Sequence, residues 1–334
     1  MISNPTLSPF PSRPSLARRP RPAWLVAGTS VFVVWAGFQV AVVSHKAIKA
    51  DAQTGPVATQ TLRSFVAKAD PDQLLRHLLA VDQEVYKSRT RPSSCSQPQF
   101  YWIFKNMDFD QWWSANGLKA LWLSGPAGCR ISDAASHIVD LLKESYLELQ
   151  HSVLYFFCFT APFGVSIAIT FISTIVRLLI RCSPKLEQEI TTVFLRTLLD
   201  SILRKDPQSK PEMPRFSASD SAEVVVEKIL KAQLESDAYW GALRAVTDIQ
   251  REKGLSLIID GLDRSEHQKC EFIQELCVFI EYLGGRPSTT QILLTSRPQA
   301  EIKEILGRLP SIEYDRERKG LSWLISYSQD KQGS

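Results

Sequence analysis

Three groups of polar residues, each directly after an apolar run, are the places where this chain could do chemistry. The first lies in SGPAGCRISD at residues 124–133, where Gly125 and Ser132 have the spacing of a G-x-x-x-x-G-K-[ST] phosphate-binding loop. In such a loop, backbone N–H groups surround the phosphates, a lysine reaches the terminal ones and the hydroxyl holds Mg²⁺. Here Arg130 occupies the second glycine position and Ile131 the lysine position. The motif taken alone is therefore a weak match.

The other two groups follow apolar runs later in the chain. Asp260 directly follows the apolar run at residues 255–259, and Asp263 lies three residues further on. Arg297 lies two residues after the apolar run at residues 291–295. A carboxylate at the carboxyl end of a parallel strand lies beside the crevice where α/β sheets bind ligands. In nucleoside triphosphatases an aspartate there helps to hold Mg²⁺. An arginine at a neighbouring strand end can stabilise charge that develops on a terminal phosphate.

The elements around the first group have the required order. LKALWLSG predicts a short buried strand, and residues 133–149 carry apolar side chains at helical spacing. A strand, a glycine-bearing loop and a helix form the context that a phosphate-binding loop requires. The preceding run FYWIFKNMDFDQWW is rich in aromatic residues and predicts helix that packs its aromatic face on the domain. A base-stacking platform is the alternative, and composition alone supports it.

Two long stretches carry no charge, and each has two interpretations. Residues 22–44 are long enough to cross a bilayer as one helix, which we favour over a buried helix of an N-terminal helical domain. Residues 152–176 also pass a hydropathy test, but SVLYFFCF is typical of a buried strand and TAPFG of a turn. We therefore predict that this second stretch is an internal strand of a parallel sheet followed by a helix.

The distribution of charge and the spacing of the cysteines indicate which partners the protein binds and in which cellular compartment it lies. Residues 1–50 carry six Lys and Arg and no Asp or Glu, so the rest of the chain is net negative, which argues against nucleic-acid binding. The six cysteines form no metal-binding spacing, and they predict free thiols in a reducing intracellular compartment. Arginines before residues 22–44 favour an inside N-terminus, which would place the globular part on the opposite side and conflicts with that compartment. A mitochondrial address would resolve the conflict, although five prolines in the first 20 residues disfavour it.

The predicted domain organisation has five parts. They are a basic disordered N-terminus at 1–21, a transmembrane helix at 22–44 giving a single-pass membrane anchor, a helical region and linker at 45–99, an α/β domain at 100–315 and a C-terminal tail at 316–334.

Taken together, the motifs resemble those of a known family. Residues 100–315 resemble the NACHT-type nucleoside triphosphatase domain of STAND signalling proteins, particularly the fungal kind with nephrocystin-like N-terminal modules. The matching pieces are LKALWLSGPAGC, VLYFFC, LIIDGLD and ILLTSRP. The resemblance implies a P-loop NTPase three-layer α/β fold with a parallel central sheet, and ATP or GTP with Mg²⁺ as cofactor. It assigns nucleotide binding to Gly125, Gly128 and Ser132, Mg²⁺ to Ser132 and Asp260, and catalysis in an active site to Asp263 and Arg297.

Three departures from the family pattern indicate an impaired site. Ile131 removes the lysine cation, Arg130 replaces a glycine, and Arg264 stands where the family usually has an acidic residue. We therefore expect a signalling or scaffold protein that acts by self-association or through a protein partner. An active ATP- or GTP-hydrolysing switch is the first alternative, and a degenerate product without a biochemical role is the second. In the family that the chain resembles, a repeat array recognises the ligand, but no repeat with a period of 20–50 residues follows the last motif here. We therefore expect that partner proteins recognise the ligand or that the chain is a truncated relative.

Overall fold

The computed structural model describes residues 56–90, 101–114, 119–146, 151–158, 166–204, 214, 216–217, 220–232, 234–250, 252–264, 269–285 and 290–314. All of them lie within the unit Gln53–Ser334. The predicted basic N-terminus, membrane helix and C-terminal tail lie outside the described residues.

A single sheet of five strands organises the described part of the chain, and it is parallel, as the sequence predicts. The strands are β1 (Ala120–Ser124), β2 (Ser152–Phe157), β3 (Leu255–Asp260), β4 (Thr290–Ser296) and β5 (Ser311–Glu313). Their order across the sheet is β2-β3-β4-β1-β5, and every neighbouring pair is parallel. The first four strands are buried at every position, which accounts for their almost continuous apolar sequences.

Helices precede the sheet and connect its strands. They are α1 (Pro56–Ala67), α2 (Pro71–His77), α3 (Gln83–Thr90), α4 (Tyr101–Phe104), α5 (Met107–Trp113), α6 (Ile131–Ser145), α7 (Ile167–Cys182), α8 (Glu187–Arg204), α9 (Ala222–Lys231), α10 (Ser236–Ile249), α11 (Lys269–Gly284) and α12 (Ala300–Leu306). Short 3₁₀ turns occupy Pro184–Leu186 and Leu262–Arg264.

Local sequence explains where several of these helices begin. Asp70, Asn106 and Ser221 precede α2, α5 and α9, and each side chain accepts a hydrogen bond from a backbone N–H of the first turn. Such caps satisfy donors that the helix itself leaves unpaired and typically stabilise it by about 1 kcal/mol. The chain thus encodes its short helices through capping side chains as well as apolar spacing.

Apolar clusters lie on both faces of the sheet. The larger cluster packs α1, α2 and the helices α7 to α12 on one face, and includes Leu154, Leu257 and Leu294 of the strands. The smaller cluster packs α4, α5 and α6 on the other face, against Leu121, Ile258 and other strand residues. Helices from before the predicted linker therefore share one core with the sheet.

The strand β2 lies at an edge of the sheet, so the prediction of an internal strand was wrong in its position. Both faces of β2 are buried, and α3 covers its outer side: the Phe157 backbone N–H donates to Gln83 Oε1 at 2.7 Å. The Tyr155 hydroxyl donates to Glu84, which also accepts from Lys143 Nζ at 3.1 Å. An apolar run reports that both faces of a strand are buried, and it does not report whether a strand or a helix lies along the strand's outer hydrogen-bonding side.

Membrane crossing finds limited support in the described part of the chain. No single helix there is both long and apolar enough to span a bilayer. Ile167–Cys182 and Pro184–Arg204 meet the criteria of length and hydropathy only as a pair, across a bend of 108°.

The aromatic segment before β1 packs on the domain, as predicted. Phe109 and Trp112 of α5 are buried in the smaller cluster, and Trp112 Nε1 donates to the Ile292 carbonyl oxygen at 3.0 Å. Because these rings are in the core, they present no stacking surface. The burial of the rings therefore supports a structural role for this segment.

Gln291, fully buried on β4, joins that aromatic segment to the sheet. Its amide nitrogen donates to the carbonyl oxygens of Trp112 at 2.6 Å and Trp113 at 2.9 Å. Its amide oxygen accepts from the Tyr146 hydroxyl at 3.1 Å and the Ser256 hydroxyl at 3.0 Å. One side chain thus bonds four polar groups from three segments, which are α5, the end of α6 and β3.

Candidate functional site

The strand order creates a crevice between β1 and β4, which are neighbours in the sheet. The helix that follows β1, α6, packs on the face of the smaller cluster, whereas α12, which follows β4, packs on the face of the larger one. Connections that leave neighbouring strands toward opposite faces open a crevice at the carboxyl ends of those strands, the usual ligand site of α/β sheets. The predicted loop and Arg297 both lie at this edge.

The loop between β1 and α6 has the backbone of a glycine-rich turn. Gly128 has a φ of 84° and Arg130 a φ of 60°, both in the left-handed region. Arg130 directly precedes the first residue of α6, and its side chain makes no capping hydrogen bond. Arg130 therefore has the left-handed backbone conformation that suits the glycine of the phosphate-loop pattern. A residue with a Cβ atom, such as arginine, disfavours this conformation.

The side chain at the lysine position belongs to the core. Ile131 is 7% exposed and joins the smaller apolar cluster. A Cβ added at Gly125 would lie 2.7 Å from Ile131 Cδ1 and 2.8 Å from Cys129 Sγ, so the loop closes tightly over these side chains. Gly125 is thus required by space, and Ile131 places an aliphatic group where a phosphate-binding loop has a cation.

Arg130 does not replace the missing lysine. Its Nε lies 3.6 Å from Asp133 Oδ2, within the first turn of α6, and its side chain is 49% exposed. The guanidinium is therefore directed along the outside of the helix start. The burial of Asp133 raises the pKa of its carboxyl, with Arg130 and Arg264 opposing that rise.

Arg130→Gly is expected to raise the free energy of unfolding by up to about 1 kcal/mol, because a left-handed conformation costs a residue with a Cβ roughly 1–2 kcal/mol and glycine's greater unfolded-state entropy offsets part of the gain. Urea unfolding measures the change. Arg130→Ala is the matched control, since it removes the ion pair and keeps the Cβ. Equal stability of the two variants would contradict the prediction.

Asp260 ends β3 as a fully buried carboxylate. Its Oδ1 accepts a hydrogen bond from the Thr295 hydroxyl, whereas Oδ2 has no hydrogen-bond partner among the described residues. Burial raises the pKa of the Asp260 carboxyl, and the Thr295 hydroxyl, the Arg264 guanidinium and the Ser132 hydroxyl act in the opposite direction. A buried carboxylate oxygen without a hydrogen bond is an acceptor that favours a nearby positive charge.

Arg264 supplies that charge. Its Nη2 donates to Ser132 Oγ at 2.7 Å, and its Nη1 lies 3.9 Å from Asp260 Oδ2. The guanidinium therefore connects two of the predicted site residues, which come from the start of α6 and the end of β3. The sequence marked Arg264 only as a departure from the family pattern.

Asp263 and Arg297 form a second pair at the same edge. Asp263 Oδ1 accepts from the Arg297 backbone N–H at 2.9 Å, and Oδ2 lies 3.3 Å from Arg297 Nε. The structure thus brings Ser132 and Asp260 together through Arg264, and Asp263 and Arg297 together directly. The catalytic roles predicted for Asp263 and Arg297 stay predictions.

The arrangement does not fit a Mg²⁺ ion as it stands. Ser132 Oγ and Asp260 Oδ2 are oxygen donors of the type that Mg²⁺ takes, but the Arg264 guanidinium already contacts both. Within the described ranges, no cluster of three or more His, Cys, Asp or Glu could hold a metal ion. The residues assigned to the metal are therefore engaged by a side-chain cation.

Two residues of the site escaped the sequence analysis. Thr295 donates to the Asp260 carboxylate and accepts from the Gly261 backbone N–H at 3.0 Å, which joins the ends of β3 and β4. Its polar side chain within the apolar run ILLTS was a signal that could have found it. Gly261, with a φ of 74°, follows Asp260 directly and shapes the turn that returns Arg264 to the strand end.

Comparison with known proteins gives one partial match. The family model of the nephrocystin 3 N-terminal domain matches residues 99–194, a segment that runs from the aromatic helices into α8. This match confirms the nephrocystin-like part of the resemblance, and β3 and β4 lie outside it. No curated protein and no solved structure matches the chain.

Proposed function

We propose that this chain is a NACHT-like signalling or scaffold protein with an impaired nucleotide site, which acts by self-association or by binding a protein partner. The observation that carries the proposal is the burial of Ile131 in the apolar cluster at the lysine position. Loss of one preorganised charge-stabilising group typically raises a reaction barrier by ~3 kcal/mol. A loop without that cation is therefore poorly suited to hydrolyse ATP or GTP.

The surrounding architecture supports descent from a P-loop NTPase of three-layer fold. The loop, the Asp260 carboxylate and Arg297 share the carboxyl edge of a parallel sheet, at the crevice between β1 and β4. The nephrocystin-like match covers the loop and its flanking elements. We propose membrane attachment through residues 22–44, with the globular part in a reducing intracellular compartment, where free cysteines such as the buried Cys158 persist.

The test is calorimetric titration of the full chain with ATP, ADP and GTP, each with Mg²⁺, together with phosphate-release assays. We expect no binding at micromolar affinity, which corresponds to about −8 kcal/mol, and no turnover above that of Asp260→Ala. The double variant Arg130→Gly with Ile131→Lys is the comparison, because it restores both positions of the loop pattern. Sedimentation velocity should show self-association or a protein complex that Mg²⁺ and ATP leave unchanged.

An active ATP- or GTP-hydrolysing switch is the second candidate. The observation that favours it is the convergence of Asp263 and Arg297 at the sheet edge that carries Asp260. In an active site, Asp263 would orient water and Arg297 would stabilise developing charge. Micromolar nucleotide binding with turnover that Asp260→Ala abolishes would establish the switch and refute the impaired site.

A further inference from the structure

We propose that the Arg264 guanidinium takes the place of a divalent cation between Ser132 and Asp260, so that this crevice does not take up Mg²⁺. The inference deepens the proposed function and rests on it for the identity of the site as a former nucleotide site. The geometry that carries the inference comes from the residues themselves.

The oxygen atoms that face Arg264 form a donor set for a hard cation. Ser132 contributes a hydroxyl oxygen at the start of α6, and Asp260 contributes a carboxylate oxygen from β3 that has no hydrogen-bond partner within the described part of the chain. Hydroxyl and carboxylate oxygens are the protein ligands that Mg²⁺ and Mn²⁺ prefer. The site therefore has the chemistry of a cation site and contains a positive side chain.

Space excludes simultaneous occupation by a metal ion. Mg²⁺ binds oxygen at about 2.0–2.1 Å in a nearly ideal octahedron. Arg264 Nη2 lies 2.7 Å from Ser132 Oγ, and Nη1 lies 3.9 Å from Asp260 Oδ2. An ion bound to Ser132 and next to Asp260 would occupy the volume that the guanidinium fills.

The backbone turn after β3 directs the Arg264 side chain, which is 42% exposed, back toward the carboxylate. After β3 the chain turns through Leu262–Arg264, and the Arg264 backbone N–H donates to the Gly261 carbonyl oxygen at 2.9 Å. A Cβ added at Gly261 would lie 3.0 Å from both Cδ and Nε of Arg264. The absence of a side chain at Gly261 thus gives the arginine a path back to the carboxylate.

Charge reinforces the exclusion. The guanidinium of Arg264 brings a positive charge into the site. A divalent ion would have to approach that fixed charge at close range, where repulsion is strong.

The test is titration of the full chain with Mn²⁺ alone, with bound ion measured by electron paramagnetic resonance. We expect wild type to show no binding that depends on Asp260. Arg264→Ala should bind one Mn²⁺ at least about tenfold more tightly than wild type, since the repulsion is removed, and adding Asp260→Asn should abolish that binding. Arg63→Ala is the matched control, because it opens an arginine–aspartate pair with Asp200 away from the crevice and should bind no Mn²⁺.

Two outcomes would overturn the proposal. One is Mn²⁺ binding by wild type that Asp260→Asn removes, a result that depends on no arginine variant. The other is a folded Arg264→Ala protein that gains no Mn²⁺ site, with Arg264→Met as the substitute if the alanine variant does not fold. Because no nucleotide is present, failure here is distinguishable from failure of the proposed function, which the nucleotide titrations test.

Discussion

A fragment that begins at residue 95 is expected to lose the cooperative unfolding transition that a fragment beginning at residue 53 retains. The first fragment lacks Leu62, Val66, Leu74 and Leu78, which are buried in the larger apolar cluster. Burial of such side chains is worth about 1.5–3 kcal/mol each, so their combined loss is comparable with the total stability of a domain, about 5–15 kcal/mol. Urea unfolding followed by tryptophan fluorescence measures both fragments.

A pair of single substitutions provides the graded form of this test. Leu74 is fully buried, whereas Leu79, a short distance along the chain, is 56% exposed. In the full chain, Leu74→Ala should cost about 2–5 kcal/mol, and Leu79→Ala should change stability by less than about 0.5 kcal/mol. A residue-95 fragment that unfolds with an unchanged midpoint would show that these helices contribute little to the core.

Gln291→Ala should lower the free energy of unfolding by about 3–5 kcal/mol, since each buried polar group that loses its partner costs about 1–3 kcal/mol. The Gln291 side chain makes hydrogen bonds with Trp112, Trp113, Tyr146 and Ser256. The substitution also leaves a cavity below the aromatic helix α5. Chemical unfolding followed by circular dichroism measures the loss.

Gln188→Ala is the control for Gln291→Ala. Gln188 is exposed on α8, and its amide donates to the Ala67 and Ala69 carbonyl oxygens. Water can replace those bonds, so the loss should stay below about 1 kcal/mol. Similar losses for the two variants would mean that the buried network does not couple the aromatic segment to the sheet.

The sequence predicted the sheet and the edge where the candidate residues meet. Strands buried on both faces have continuous apolar sequences, so β1, β3 and β4 were recognisable, and each ends in a polar group. Parallel strands bring those ends to one side, which places Asp260 and Arg297 near the loop. Their proximity follows from topology alone.

Features that depend on the path of one side chain could not be predicted in this way. Arg264 reaches Ser132 only because the chain turns back after Gly261, and spacing in the sequence does not report that turn. The edge position of β2 was missed because apolar composition reports burial of faces and not the neighbours along the hydrogen-bonding sides. The tertiary partner of β2, α3, lies far earlier in the chain.

The covering of β2 by α3 has a consequence for aggregation. An uncovered edge strand is a template on which another molecule can add its own strand and continue the sheet. Gln83 already accepts the Phe157 backbone N–H, so α3 occupies part of that template. Detachment of α3 would expose the outer side of β2, on which a strand of another molecule could pair and begin a fibril. The contact between α3 and β2 therefore protects the protein against fibrillar assembly.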